Sequence, residues 1–169
     1  MSTTQPRPVE VPFEVSVVRS TRRTHTASAR FIDGVLVVRV PAAISRAEEA
    51  ELVGRLARRV ARRQRSEIVD VDARARLLAR RLHLPVPAQV RWVDNQHTRW
   101  GSCTPSAGDI RISRRLAEVP GWVLDYVLVH ELAHLDVADH SSAFWALVGR
   151  YELSERARGF LMAKGLEGP

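Results

Sequence analysis

The spacing of apolar positions changes character several times along the chain, and each change marks an element. Valine, threonine and aromatic residues alternate with polar ones over 13–20, 24–32 and 35–40, which predicts three short strands. Only Asp33-Gly34 separates the last two, a pair suited to a two-residue hairpin turn. Ser45-Arg46-Ala47-Glu48 has the S-x-x-E spacing of a capping box. Leu52, Val53, Leu56 and Val60 then recur at helical intervals and predict a helix to about residue 63. Val71, Ala75, Leu78 and Leu82 repeat that spacing and predict a second helix over 68–82, ended by Pro85 and Pro87.

Beyond these prolines, segments 89–93, 98–103 and 109–113 read as strands, separated by Asp94-Asn95 and by Pro105-Ser106-Ala107-Gly108. Their order predicts an antiparallel three-stranded meander. From 121 to about 135 the chain is apolar on all sides, the pattern of a buried helix. Ser141 or Ser142 can cap a further helix through Val148, and 152–164 reads as helical. Residues 1–12 hold three prolines and no period, and are read as a flexible arm. The expected architecture is one α+β domain over 13–169.

Composition narrows the class. The 169 residues are 45% hydrophobic and 27% charged, which excludes a disordered or low-complexity chain. No apolar run reaches the length of a membrane span, and Met1 to Glu10 lack the apolar core of a secretory signal. The single cysteine, Cys103, excludes an internal disulfide framework. A cytoplasmic protein without membrane contact is expected.

Charge divides the chain. Residues 1–84 hold 17 basic and 9 acidic side chains, net +8, while 85–169 hold 9 and 10, net −1. Arg55, Arg58, Arg59, Arg62, Arg63 and Arg65 crowd the end of the first helix, and Glu48, Glu49 and Glu51 stand at its start. That polarity complements the helix dipole without any partner. It also offers phosphate groups a basic surface, so nucleic acid is a candidate partner of the basic half, 13–84.

The candidate chemistry lies in the other half, 85–169. His130-Glu131-Leu132-Ala133-His134 places two imidazoles one turn apart on one helical face, where both can reach one ion. A catalytic zinc takes three protein ligands and keeps an open position. His140 supplies the third ligand if 135–139 turn back, and Glu152 or Glu155 is the alternative. Glu131 leaves the helix at another angle and can take a proton from water activated by the metal. Three polar groups in one turn of an apolar helix would be costly to bury without such a task. The spacing of 130, 134 and 140 equals that of metzincins, but Val137 replaces their glycine and no clear Met-turn follows.

Arg99-Trp100-Gly101-Ser102-Cys103, Asp125-Tyr126-Val127 leading into His130-Glu131-Leu132-Ala133-His134, then His140-Ser141 and Phe144-Trp145, together resemble the YgjP-like metallopeptidase family. That family is a bacterial group of small zincins related to the SprT-type and Wss1-type proteases. The resemblance covers most of the chain and is sharpest from Arg99 to Trp145. It implies a zincin-like fold and a peptidase with one Zn2+ per chain. It matches His130, His134 and His140 to the ligands and Glu131 to the catalytic glutamate, with a peptide or protein as substrate.

Other roles stay open at this level. Arg99, Trp100 and Gly101 are candidate substrate-binding residues on a strand edge, although Trp100 and Cys103 also suit the core. Asp125, Asp136 and Asp139 are near enough in sequence to orient a ligand, and Tyr126, Tyr151, His97 or Arg99 could face a developing oxyanion. Two rival functions use the same residues: hydrolysis of another substrate, such as a nucleoside triphosphate, and a DNA-associated protease. A non-enzymatic nucleic-acid binder with a structural zinc has no use for Glu131.

Overall fold

The computed structural model describes residues 11–164, so most of the arm expected over 1–12 lies outside the described residues. The chain is α+β and divides into two compact units, residues 1–64 and 65–169.

The first unit holds β1 (Val15–Ser20), β2 (Ser28–Ile32), β3 (Val35–Pro41) and most of α1 (Arg46–Ile68). Asp33 and Gly34 both have positive φ, 50° and 83°, as the hairpin turn requires. β3 is central: β2 pairs with it antiparallel and β1 parallel. Leu36, Val38 and Val40 point to one face of β3 and form a core with Ala57, Leu52, Val53, Leu56 and Val60 of α1. The capping box is formed. Ser45 N–H donates to Glu48 Oε2 at 2.9 Å and Glu48 N–H to Ser45 Oγ at 3.2 Å. The Ser45 hydroxyl also donates to Glu48 Oε2, at 2.7 Å, and this bond together with that from the Ser45 N–H holds the Glu48 carboxyl below its ordinary pKa.

α1 runs on to Ile68, past the expected end near 63, because no breaker intervenes. The next helix, α2 (Val71–Leu82), starts later than expected, since Asp70 caps it by accepting from Ala73 N–H at 2.9 Å. The predicted stripe Val71, Ala75, Leu78 and Leu82 is wholly buried.

The second unit then forms β4 (Gln89–Val93), β5 (Gly101–Thr104) and β6 (Asp109–Ser113). The antiparallel meander is not what forms. The order is β4-β6-β5, with β4 parallel to β6 and β5 antiparallel to it. The reason lies in the link 94–100. Asp94-Asn95 does not close a hairpin. The link instead carries the chain to the far side of β6, pinned by buried Gln96, whose Nε2 donates to Ser102 Oγ at 2.7 Å and whose carbonyl accepts from Ser113 Oγ at 3.2 Å. β6 bears Ile110 and Ile112, both 0% exposed, and so takes the central place.

Three helices complete this unit: α3 (Gly121–Ala133), α4 (Ser142–Val148) and α5 (Ser154–Ala163). Every residue of α3 from Tyr126 to Ala133 is buried. The helix packs against α2, α4, α5, β5 and β6. Arg74 of α2 anchors its first turn, with Nε 2.5 Å and Nη2 3.0 Å from the two Asp125 oxygens, and Tyr151 donates to the Trp122 carbonyl at 3.0 Å. No described helix is long and apolar enough to cross a membrane.

Candidate metal centre

α3 ends at Ala133 with His134 as its C-cap, and the chain leaves it in tight turns. The N–H groups of Leu135, Asp136 and Val137 donate back to Leu132 and Ala133 carbonyls at 2.9–3.1 Å. Val137 needs no glycine there. Outside glycine, only Asp33 and His83 of the described residues have positive φ. The turn returns His140 to the end of α3. His130, His134 and His140 each offer a ring nitrogen, and these atoms lie within 4.8 Å of one another. The ring centroids form a nearly equilateral triangle: 4.9 Å for 130–134, 5.1 Å for 130–140 and 4.9 Å for 134–140.

The nitrogens suit a metal. His130 Nε2 and His140 Nε2 face each other at 3.2 Å. Two ligand atoms on a tetrahedral zinc, each about 2.0–2.1 Å from it, stand about 3.3 Å apart. His134 Nδ1 lies 3.1 Å from the Val137 carbonyl, which can only accept, so Nδ1 carries the proton and Nε2 is the free donor atom. His130 Nδ1 has no partner among the described residues. Packing holds that ring instead. Phe144 of α4, 0% exposed, sits 4.8, 4.5 and 4.7 Å from the His130, His134 and His140 centroids, and Trp145 stacks on His140 at 5.8 Å. Burial pushes His130 down to about 3 and also lowers His134, with the neighbouring imidazoles adding to it. Both shifts favour the neutral imidazole, the form that binds a metal.

Glu131 is 2% exposed. Burial lifts its carboxyl to about 8, against a smaller downward pull from the Arg99 guanidinium. It lines the same cleft as the three histidines, a space of about 370 Å³ whose other wall includes Arg99, Gly101, Ser102 and Cys103. Of the three residues expected on the substrate side, Arg99 and Gly101 reach the cleft. Trp100 does not; it is 3% exposed in the core, with the Arg115 guanidinium 4.2 Å over its ring. Burial, then the Glu131 and Asp109 charges, push the Cys103 thiol up to about 11. Cys103 is not in the ligand cluster, nor are Glu152 and Glu155.

The profile of the YgjP-like, metallopeptidase domain family matches residues 22–153. The chain belongs to the YgjP-like metallopeptidase family. Among solved structures, this YgjP-like protein is similar to the metallopeptidase zymogen abylysin of Pyrococcus abyssi. The likeness is at 23% identity and a TM-score of 0.52, over 59% of this chain and 99% of that one, and it concerns the fold. No curated protein matches the chain. The YgjP-like chain is thus a metallopeptidase, and its three-histidine cluster is a group able to hold the metal.

The remaining expectations sort by position. Asp125 is taken by Arg74, while Asp136 and Asp139 are exposed and make no hydrogen bond to the ligands. Tyr151 is engaged with Trp122, Tyr126 is 2% exposed in the core, and His97 is exposed away from the cleft wall. Arg99 is the one of the four that lines the cleft. Phe144 was legible only as part of the resemblance. Its contact with all three imidazoles has no signature in spacing.

Proposed function

We propose that this YgjP-like protein is a cytoplasmic zinc peptidase, with His130, His134 and His140 as ligands and Glu131 as general base. The observation that carries the reading is the convergence of three imidazoles and one buried carboxyl on a single cleft. When bound, the zinc ion supplies a Lewis acid that polarises the scissile carbonyl and acidifies water. Glu131 takes the proton of the attacking water and hands it to the leaving amine. Arg99, whose guanidinium makes no hydrogen bond with a described residue and which lines the cleft, offers a cation to the carbonyl oxygen as charge develops there. Phe144 and Trp145 hold the imidazoles in place and keep bulk water from their buried side.

The test is cleavage of an unfolded protein by the zinc-loaded chain, before and after chelation, with a nucleoside triphosphate run in parallel. Zinc-dependent proteolysis supports the reading. Triphosphate hydrolysis without proteolysis would replace it with the rival hydrolase.

One observation favours an additional nucleic-acid partner. Arg55, Arg58, Arg59 and Arg62 share one face of α1 opposite its core stripe, and none pairs with a described residue. A peptidase brought to nucleic acid through this face would bind it without sequence preference and with steep salt dependence. Alanine at these four positions should flatten the salt slope and leave proteolysis intact. No binding by the wild type near physiological ionic strength removes this partner.

A further inference from the structure

Gly101 opens β5, is buried, and pairs with Ile112 of β6. Glycine weakens a strand through its freedom in the unfolded chain, so its presence calls for a reason. Backbone conformation is not that reason, because the described glycines with positive φ are Gly34 and Gly108. The reason is the side chain of Glu131. A Cβ at position 101 would stand 2.5 Å from Glu131 Oε1 and 2.8 Å from both its Cδ and its Cγ. At these separations a side chain at 101 fits only if the Glu131 side chain moves.

Among the described residues, the Arg99 guanidinium acts on the Glu131 carboxyl through its charge alone. The carboxyl makes no hydrogen bond with a described residue, and its side chain turns about three bonds. Its place is set by packing, and the bare Cα of Gly101 forms one wall of the slot. The geometry points to Gly101 as a positioning residue. By lacking a side chain, it admits the Glu131 carboxyl from α3 and fixes where that carboxyl meets the cleft. Any larger residue at 101 displaces the carboxyl by the order of an ångström while leaving β5 paired and the histidines untouched. The kinetic consequence rests on the proposed role of Glu131 as base. The packing does not.

The experiment is a double-variant cycle. Gly101→Ala is made in the wild type, in Glu131→Ala and in Glu131→Asp. Melting temperature of the metal-free proteins is read first. Gly101→Ala should lower it by about 3 °C or more in the wild type. In Glu131→Ala the clashing atoms are gone, and the same change should cost less than about 1 °C. An equal drop in both backgrounds, or none in the wild type, overturns the slot. The zinc-loaded proteins are then assayed. Gly101→Ala should keep one zinc per chain and a KM within about twofold while kcat falls about 100-fold, the scale of an ångström misplacement. Glu131→Asp withdraws the carboxyl by one carbon–carbon bond, about 1.5 Å. Gly101→Ala should therefore reduce its kcat much less than it does in the wild type. Coupled melting temperatures with an unchanged kcat for Gly101→Ala would overturn the positioning role. If Glu131→Ala itself leaves proteolysis intact, the general-base reading fails, and the melting cycle still decides the packing.

Discussion

Replacing Glu131 by glutamine should change how the stability of the metal-free protein responds to pH. The carboxyl is 2% exposed, and burial raises its pKa from 4.5 to about 8. Between those values the folded chain holds a proton that the unfolded chain has released. Stability from this group is therefore complete below about pH 4.5 and is lost as pH rises through about 8, with a slope approaching 1.4 kcal/mol per pH unit. His130 acts in the opposite sense over another range. Its folded pKa is about 3 against 6.5, so its contribution is present above 6.5 and lost as pH falls. Between pH 6.5 and 8 the Glu131 effect stands alone of the two. Over that interval it amounts to about 2 kcal/mol at most. Urea denaturation of metal-free wild type and Glu131→Gln at both pH values measures it. The wild type should lose stability relative to the variant as pH rises. Parallel changes in the two proteins would mean that the carboxyl is already ionised, and would refute the reasoning from burial.

Three further outcomes are expected. His140→Ala should weaken zinc binding by more than about 100-fold in a chromophore competition, since even a residue that only supports a ligand is worth 10–100-fold; unchanged affinity would remove His140 from the ligand set. Arg74→Ala, Asp125→Ala and the double variant should show a coupling of about 1 kcal/mol in urea denaturation, modest because Arg74 is 36% exposed; strict additivity would deny the clamp on α3. Phe144→Ala should cost about 3–5 kcal/mol of stability and also reduce zinc affinity; retained affinity in the folded variant would show that the imidazoles are held without the phenyl ring.

Local chemistry was legible in the sequence wherever neighbours along the chain settle it. Ser45 and Glu48 find each other within one turn, Asp33-Gly34 fixes its own dihedrals, and the 71, 75, 78, 82 stripe is buried as spaced. The same holds for His130 and His134 on one helix, and for a short turn that returns His140. What was not legible depends on partners distant in sequence. Asp94-Asn95 looks like a hairpin, and only the bonds of Gln96 to Ser102 and Ser113 show that the chain passes β6 instead. The pause between α1 and α2 could have been found, because Asp70 stands before the apolar stripe at 71 in capping position. The contact of Phe144 with three imidazoles, and that of Gly101 with Glu131, arise from α4 and β5 meeting α3, and no spacing rule encodes either.

In the proposed reaction a metal on His130, His134 and His140 and a proton acceptor at Glu131 together cleave peptide bonds. The most direct test is the rate of cleavage of one defined peptide bond by zinc-loaded wild type and Glu131→Gln, with zinc content measured on the same samples. Glutamine keeps the shape but cannot take the proton. The account requires one zinc per chain in both proteins and a loss of activity of about 10²-fold or more in the variant, the scale of general-base catalysis. Retained cleavage in a zinc-loaded Glu131→Gln protein would contradict it.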